Sequence, residues 1–244
     1  MTECVLGVDL GTSSVKVTAV SRTGEIIAQE GMDFPLQQPQ PGYAEQDPED
    51  WVSATTVSIV RLILKDKLTP DQIVGISYSG QMHGLVLLDS NNEVLRPAML
   101  WNDTRSTQQR QEIMAKMGSR FIEITHNKPL EGFTLPKLLW VKENQPQIFQ
   151  QAKTMLLPKD YLRFRMTGQL AIDYSDATGT VMFDVDKQQW SKEILDAFDI
   201  PEKICPPLVR SIDETGNINE WYAEYSGLST HTKTFGGGAD NACG

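Results

Sequence analysis

The chain has 244 residues, of which 40% are hydrophobic and 22% charged, as is ordinary for a globular protein. Its formal net charge of -10 disfavours nucleic acid and anionic membranes as partners, because both need a clustered basic surface. No apolar run is long enough to cross a bilayer, and the first residues lack the pattern of a signal peptide. Three distant cysteines without a CxxC pair indicate reduced thiols, so we expect a cytoplasmic protein.

The first part of the chain predicts a sheet that starts with antiparallel strands. Three short runs rich in β-branched residues are separated by tight turns, at residues 4–9, 15–19 and 26–29. After a loop at 33–46, Asp47 suits a helix N-cap and Pro48 the first helical position. The next run, at 73–77, is a strand, and a helix followed by a strand predicts a parallel crossover back into the sheet.

The middle of the chain is more helical. The pattern predicts helices at 107–117, 136–143, 146–152 and 159–166, and strands at 85–88 and 154–157. A last segment at 231–235 leads into three glycines, and the chain has no internal repeat or low-complexity tract. This mixture of helices and strands predicts an α/β fold.

The first candidate site is an aspartate at the end of a strand, followed by a glycine turn. The N–H groups of Gly11, Thr12 and Ser13 can hold phosphate oxygens, and the hydroxyls of Thr12, Ser13 and Ser14 add donors. Asp9 would repel a nearby phosphate unless its carboxylate held Mg²⁺, directly or through water. The same residues also fit an ordinary hairpin in which the aspartate satisfies turn amides.

A second candidate is the loop between the predicted strands at 73–77 and 85–88. Two glycines flank Gln81, Met82 and His83, as expected for a loop that a ligand approaches closely. His83 fits a general base, a hydrogen-bond donor or a structural residue. Trp101, beside polar side chains, fits the wall of a sugar site and equally a core position.

The third candidate follows the three glycines at 236–238. The carboxylate of Asp240 can accept a proton from a substrate hydroxyl, and Asn241 can fix a neighbouring hydroxyl. Alternatively, either residue caps a following helix. Metal-ligand spacings, a GxSxG elbow and a Walker loop are absent, and no nucleophile has an adjacent base. Direct transfer is therefore favoured over covalent catalysis.

Taken in this order, the segments resemble the FGGY family of carbohydrate kinases over essentially the whole chain. The most specific piece is 132–144, in which a lysine stands three residues before a tryptophan. The resemblance implies a ribonuclease H-like, actin-type fold with a mixed central sheet flanked by helices. It implies that 1–244 is the N-terminal sugar-binding domain, with a mostly helical insertion around 105–170. The C-terminal nucleotide-binding domain is expected to be absent, the chain being cut at Gly244.

The resemblance also implies the roles of individual residues. Asp240 is expected to be the catalytic base, and Asp9 a second catalytic residue that holds Mg²⁺ through water. The expected substrate-binding residues are Gln81, Met82, His83, Trp101 and Asn241, and the expected phosphate-binding residues are Gly11, Thr12 and Ser13. The implied cofactors are ATP and Mg²⁺, and a homodimer is left open.

Within the family, the loop at 80–84 is similar to that of members that phosphorylate D-xylulose. Members that act on glycerol carry an arginine–glutamate pair where Met82 and His83 stand here. Segments 156–163 and 173–177 also resemble those of members that phosphorylate D-xylulose. The implied reaction is therefore the ATP-dependent conversion of D-xylulose to D-xylulose 5-phosphate. The alternatives are a kinase for ribulose, gluconate or a polyol, an inactive sugar-binding fragment, and an actin-like or chaperone-type ATPase. The sugar loop and the 132–144 stretch disfavour the last.

Overall fold

The computed structural model describes residues 3–66 and 68–243, so the predicted end at Gly244 lies outside the described residues. The helices in these ranges are α1 (Pro48–Asp66), α2 (Thr107–Met117), α3 (Ser119–Thr125), α4 (Thr134–Asn144), α5 (Pro146–Gln151), α6 (Pro158–Thr167), α7 (Tyr174–Gly179), α8 (Lys192–Ala197), α9 (Glu220–Ser226) and α10 (Asp240–Cys243). The strands are β1 (Cys4–Leu10), β2 (Ser14–Ser21), β3 (Ile26–Asp33), β4 (Glu45–Gln46), β5 (Ile73–Gly80), β6 (Val86–Leu88), β7 (Ala98–Met99), β8 (Thr154–Leu156), β9 (Ile172–Asp173), β10 (Phe183–Asp184), β11 (Gln189–Trp190), β12 (Leu208–Val209), β13 (Glu214–Asn217), β14 (Lys233–Phe235) and β15 (Gly238–Ala239).

A mixed sheet of seven strands forms the centre of the fold, in the order β13-β14-β5-β1-β2-β3, with β15 also paired to β5. The first three strands are antiparallel, as predicted. The strand that follows α1 returns parallel to β1, which confirms the predicted crossover. Both β14 and β15 also run parallel to β5. The predicted α/β class with a mixed central sheet is therefore confirmed.

Alternating burial explains how the sheet and α1 pack together. In β1, Leu6 and Val8 are buried while the residues between them are exposed, so only one face of the strand lies in the core. The helix begins as predicted, since the N–H of Glu49 donates to Asp47 Oδ1 at 3.0 Å. Trp51 and other apolar side chains at helical spacing then pack against β2 and β3.

A second apolar cluster is built from α2, α3 and α4 around the β6–β8 pair. The predicted helix at 107–117 has the observed bounds, and the other three predicted helices of this region are found within two residues of their expected ends. The short helices α3, α7, α8 and α9 were not predicted. Each has six or seven residues, too few for a helical period to repeat clearly.

None of the helices at 3–66 and 68–243 combines the length and apolarity that a membrane span requires.

The turn that leads into β15 requires glycine. Gly237 has φ +72°, and a Cβ at this position would lie 2.2 Å from the carbonyl oxygen of Tyr78. The backbone of this turn therefore lies directly on β5, closer than any side chain permits.

We expect Gly237→Ala to lower the free energy of unfolding by at least about 2 kcal/mol more than Gly227→Ala, because it adds a backbone clash to the same unfavourable φ. Gly227 is a matched control, since its φ is +73° and its added Cβ would meet nothing closer than 3.9 Å. Urea unfolding of both variants measures the difference. Equal losses would show that the turn has room that the structure does not give it.

Candidate active site

Three parallel strands bring the predicted motifs to one edge of the sheet. Ser79 of β5 pairs with Asp9 of β1 on one side and with Gly238 of β15 on the other. Because the carboxyl ends of these strands lie in register, Asp9, the loop at 81–83 and Asp240 all emerge at the same edge. The sequence motifs, which are up to about 230 residues apart, are thus neighbours in the fold.

The glycine turn after β1 offers fewer phosphate donors than predicted. The N–H of Gly11 closes the turn by donating to Ser14 O at 2.9 Å, so this donor is already paired, and phosphate binding by Gly11 stays a prediction. The N–H groups of Thr12 and Ser13 make no hydrogen bond to any described residue, which leaves them as donors. The side chain of Asp9 is exposed and forms no ion pair within the described ranges.

Two side chains near this turn differ in accessibility. Gln81, predicted to bind substrate, is 1% exposed and donates through Nε2 to Gly11 O at 3.2 Å. This placement favours bracing of the turn, and its contact with substrate stays a prediction. Trp101 is 47% exposed and donates through Nε1 to Thr12 Oγ1 at 2.8 Å. The alternative of a plain core residue is therefore wrong for Trp101, whose indole stands open beside the turn.

His83 is held as a neutral ring with a defined tautomer. Its Nδ1 lies 2.8 Å from the carbonyl oxygen of Gly179, so Nδ1 carries the proton and Nε2 is left as an acceptor. Burial lowers the pKa of His83 to about 4, so the ring is uncharged at neutral pH. The Phe133 ring packs on the imidazole with centroids 4.4 Å apart. A Cβ on Gly179 would lie 2.9 Å from Nδ1, so glycine is needed there.

The backbone of His83 is fixed from α4 by residues whose role the sequence alone did not reveal. His83 has φ +66°, and its carbonyl oxygen accepts from Lys137 Nζ at 2.9 Å and from Thr134 Oγ1 at 3.2 Å. Lys137 is fully buried, and burial lowers its pKa to about 7. A signal was available, because Lys137 lies on the buried face of an apolar helix within the 132–144 stretch.

The residues after β15 face the same loop. Asp240 and Asn241 are exposed, and Asn241 Nδ2 lies 3.4 Å from Met82 Sδ. The helix α10 begins at Asp240, whose Oδ1 accepts from the N–H of Asn241 at 2.8 Å. In an N-cap the side chain accepts from the second or third helical N–H, so this bond to the adjacent N–H does not confirm the helix-cap interpretation. The second carboxylate oxygen of Asp240 makes no hydrogen bond to the described residues and faces solvent.

Beneath this edge lies a buried ionic cluster that the sequence did not reveal. Its five members are fully buried and comprise Lys159, Asp160 and Arg163 of α6, Asp173 of β9 and Asp176 of α7. Lys159 Nζ lies 2.8 Å from Asp160 Oδ1, 2.7 Å from Asp173 Oδ1 and 2.9 Å from Asp176 Oδ2. Only the first of these contacts has full hydrogen-bond geometry.

The three carboxylates of the cluster could in principle hold a metal ion. The ammonium group of Lys159 already stands at their centre, so it supplies the cation that such a site would bind. With all groups ionised, three carboxylates face two cations, and burial raises the pKa of Asp176 to about 7. One proton therefore stays in the cluster until the pH approaches neutrality.

The sheet order and the edge loops define a ribonuclease H-like domain of the actin and sugar-kinase type, as comparison with solved structures shows. The structure of a "xyloylose kinase" from Brucella ovis superposes with a TM-score of 0.92 at 38% identity, over 98% of this chain and 49% of that chain. A gluconate kinase from Lactobacillus acidophilus gives a TM-score of 0.93 at 28% identity, over 99% and 49%.

Residues 4–244 match the FGGY family of carbohydrate kinases, N-terminal domain, and the chain belongs to this family. A curated relative from Bacillus subtilis (strain 168), "Xylulose kinase", is 49% identical over 240 residues, which are 98% of this chain. The match covers 48% of that relative, so the chain spans about half the length of the curated relatives it matches.

The buried cluster makes stability depend on pH. Between about pH 4 and 7 the folded state keeps the proton of Asp176 while the unfolded chain has lost it, so stability falls as pH rises. The shift from 3.8 to about 7 corresponds to roughly 4 kcal/mol. Asp176→Asn balances the charges and removes this dependence.

The measurement is urea unfolding of the wild type and Asp176→Asn at half-unit steps from pH 4.5 to 7.5. Carboxylates elsewhere contribute equally to both proteins, so the difference isolates the cluster. We expect the stability of the wild type to fall relative to the variant as pH rises. Parallel curves would mean that the cluster carries no titrating proton in this range.

Proposed function

We propose that this chain is the sugar-binding half of an ATP-dependent kinase that converts D-xylulose to D-xylulose 5-phosphate. The observation that carries the proposal is the register of β1, β5 and β15, which places Asp9, the 81–83 loop and Asp240 at one edge. The identity to "Xylulose kinase" of Bacillus subtilis supports the choice of sugar. These relatives are about twice as long, and we infer that their other half corresponds to a nucleotide-binding domain absent from this chain.

In the proposed reaction, Asp240 accepts the proton of the C5 hydroxyl of D-xylulose. The freed oxygen forms a bond to the γ-phosphorus of ATP as the bond from that phosphorus to the β–γ bridging oxygen breaks, which leaves ADP. Phosphoryl transfer needs little covalent assistance, so positioning and charge neutralisation provide most of the rate. The solvent-facing oxygen of Asp240 is the group available for this proton.

The turn after β1 suits the phosphate side of this reaction. The N–H groups of Thr12 and Ser13 are free to donate to γ-phosphate oxygens. Asp9 offers an exposed carboxylate without a cationic partner in the described ranges, a donor that suits Mg²⁺ through a water molecule. When bound, Mg²⁺ neutralises phosphate charge. The residues present thus fit both proposed cofactors, ATP and Mg²⁺.

The described side chains that we propose to bind the sugar are uncharged. His83 is neutral and offers Nε2 as an acceptor for a hydroxyl, while Asn241 offers an amide beside Met82. Trp101 offers an open indole face for the sugar ring. Lys137, which contacts the loop, is buried and turned to backbone carbonyls. A carboxylate such as that of gluconate finds no cationic partner among the described side chains named here, which favours a neutral ketose. We propose a cytoplasmic location for the protein.

We expect Asp240→Asn to lower the turnover of the full-length gene product at least about a hundredfold, because it removes the general base. The control is Asp199→Asn, which alters an exposed aspartate paired only with Lys142. Coupled measurement of ADP release with D-xylulose gives the rates. Near-normal turnover by Asp240→Asn would exclude its role as the base.

We expect the 244-residue chain to bind D-xylulose without phosphorylating it, since the nucleotide-binding domain is proposed to lie elsewhere. Calorimetric titration with D-xylulose, D-ribulose, D-gluconate and xylitol tests the sugar. D-Xylulose is expected to bind at least about tenfold more tightly than D-gluconate, because a desolvated carboxylate would stay unpaired. Tighter binding of D-gluconate would make D-gluconate the proposed substrate. Steady phosphorylation by this chain alone would contradict the proposal that the nucleotide-binding domain lies elsewhere.

A further inference from the structure

The short helix α7 contacts both halves of the proposed site. At its C-terminal end, the carbonyl oxygen of Gly179 lies 2.8 Å from Nδ1 of His83, the proposed sugar acceptor. At its N-terminal end, Ser175 Oγ accepts from the N–H of Ala239 at 2.9 Å. Ala239 immediately precedes Asp240. The carbonyl of Gly179 holds the sugar loop, and the hydroxyl of Ser175 holds the residue before the proposed base. These two groups are therefore one turn of helix apart, about 6 Å of rise.

The segment before Asp240 needs such support because it has little of its own. It consists of three glycines and one alanine, and among the described strands β15 pairs with β5 alone. Glycines contribute no side chains that could fix the backbone. Three anchors besides Ser175 are present, and in one of them the N–H of Gly236 donates to Asp213 O at 3.0 Å. Arg163 donates to Gly236 O at 2.8 Å, and the N–H of Gly237 donates to Ser211 O at 3.0 Å.

The buried ionic cluster around Lys159 holds α7 in position. Asp173 Oδ2 caps the helix by accepting from the N–H of Ser175 at 2.8 Å, and it also accepts from Ser175 Oγ at 2.5 Å. The other oxygen of Asp173 lies 2.7 Å from Lys159 Nζ. Asp176, within the helix, contacts the same ammonium. The chain of contacts thus runs from Lys159 through Asp173 and Ser175 to the backbone at Ala239.

We propose that α7, held by Lys159 and Asp173, is a positioning element that sets the distance between His83 and Asp240, with Ser175 as its link to the base. The inference rests on the proposed function for the identity of the base. The hydroxyl of Ser175 is engaged by Asp173 and by the N–H of Ala239, so in this proposal it acts through Asp240 as a positioning residue. Its loss misplaces the carboxylate while the groups that bind the sugar stay in position.

The test compares Ser175→Ala with Ser226→Ala. Ser226 is a matched control, because it too is a helical serine whose hydroxyl donates once, to Tyr222 O, and accepts once, from the N–H of Leu228. For the full-length gene product with D-xylulose, we expect Ser175→Ala to lower kcat about 10- to 100-fold with KM within about twofold, as for a misplaced catalytic group. Ser226→Ala should leave both constants near wild type, and Ser175→Thr, which keeps the hydroxyl, should restore most of kcat.

Amide hydrogen exchange in the 244-residue chain provides a readout that does not depend on catalysis. Loss of the Ser175 hydroxyl is expected to speed exchange of the Ala239 N–H at least about tenfold relative to Ser226→Ala, because its acceptor is removed. Equal exchange and equal kcat in the two variants would overturn the positioning role. A wild type that neither binds nor phosphorylates any sugar of the panel would instead overturn the proposed function, and the exchange at Ala239 would still decide whether α7 holds this segment.

Discussion

The parallel pairing of β5 with both β1 and β15 is the constraint on which the rest of the site depends. Ser79 is paired to Asp9 on one side and to Gly238 on the other, so three separate loops leave the sheet at the same level. The close approach of Gly237 to β5 is possible because it has no side chain. Helices α1, α6 and α9 cover one face and give this register a packed core. The edge is thus fixed by backbone hydrogen bonds rather than by contacts among the functional side chains.

Buried charge is the second organising feature, and it is concentrated under the site. Lys159 and its three carboxylates are out of contact with water, an arrangement whose net gain in stability is small because desolvation opposes the Coulomb attraction. The cluster contributes to orientation instead, because the paired charged groups can adopt few alternative geometries. Lys137 works in the same way on the sugar loop, where its ammonium group holds the carbonyl of His83. Both lysines are buried, and each supports the proposed site indirectly, through the backbone and neighbouring side chains.

Much of the fold could be predicted from local pattern. The three antiparallel strands, the Asp47 cap, the crossover to β5 and the helix at 107–117 all follow from residues close in sequence. Helices α3, α7, α8 and α9 escaped prediction because a helical period has little room to repeat in six or seven residues, although α5, of the same length, was predicted. At the site, the motif residues could be recognised in the sequence, but the internal hydrogen bonds of Gln81 and Gly11 could not, and the binding roles predicted for both stay predictions. Gln81 faces inward, and the N–H of Gly11 closes its own turn.

By itself, the sequence determined the class of fold and the residues that carry polar chemistry, because strand alternation, helix caps and glycine turns are local properties, while the family came from the resemblance of its motifs to those of known members. Only the tertiary structure decided which of these residues meet, since the register of β1, β5 and β15 depends on hydrogen bonds between distant segments. It also decided the state of His83, whose tautomer is set by Gly179, 96 residues away in the chain. The cluster around Lys159 likewise exists only where α6, β9 and α7 pack together, because a charge becomes a buried charge through its neighbours in space.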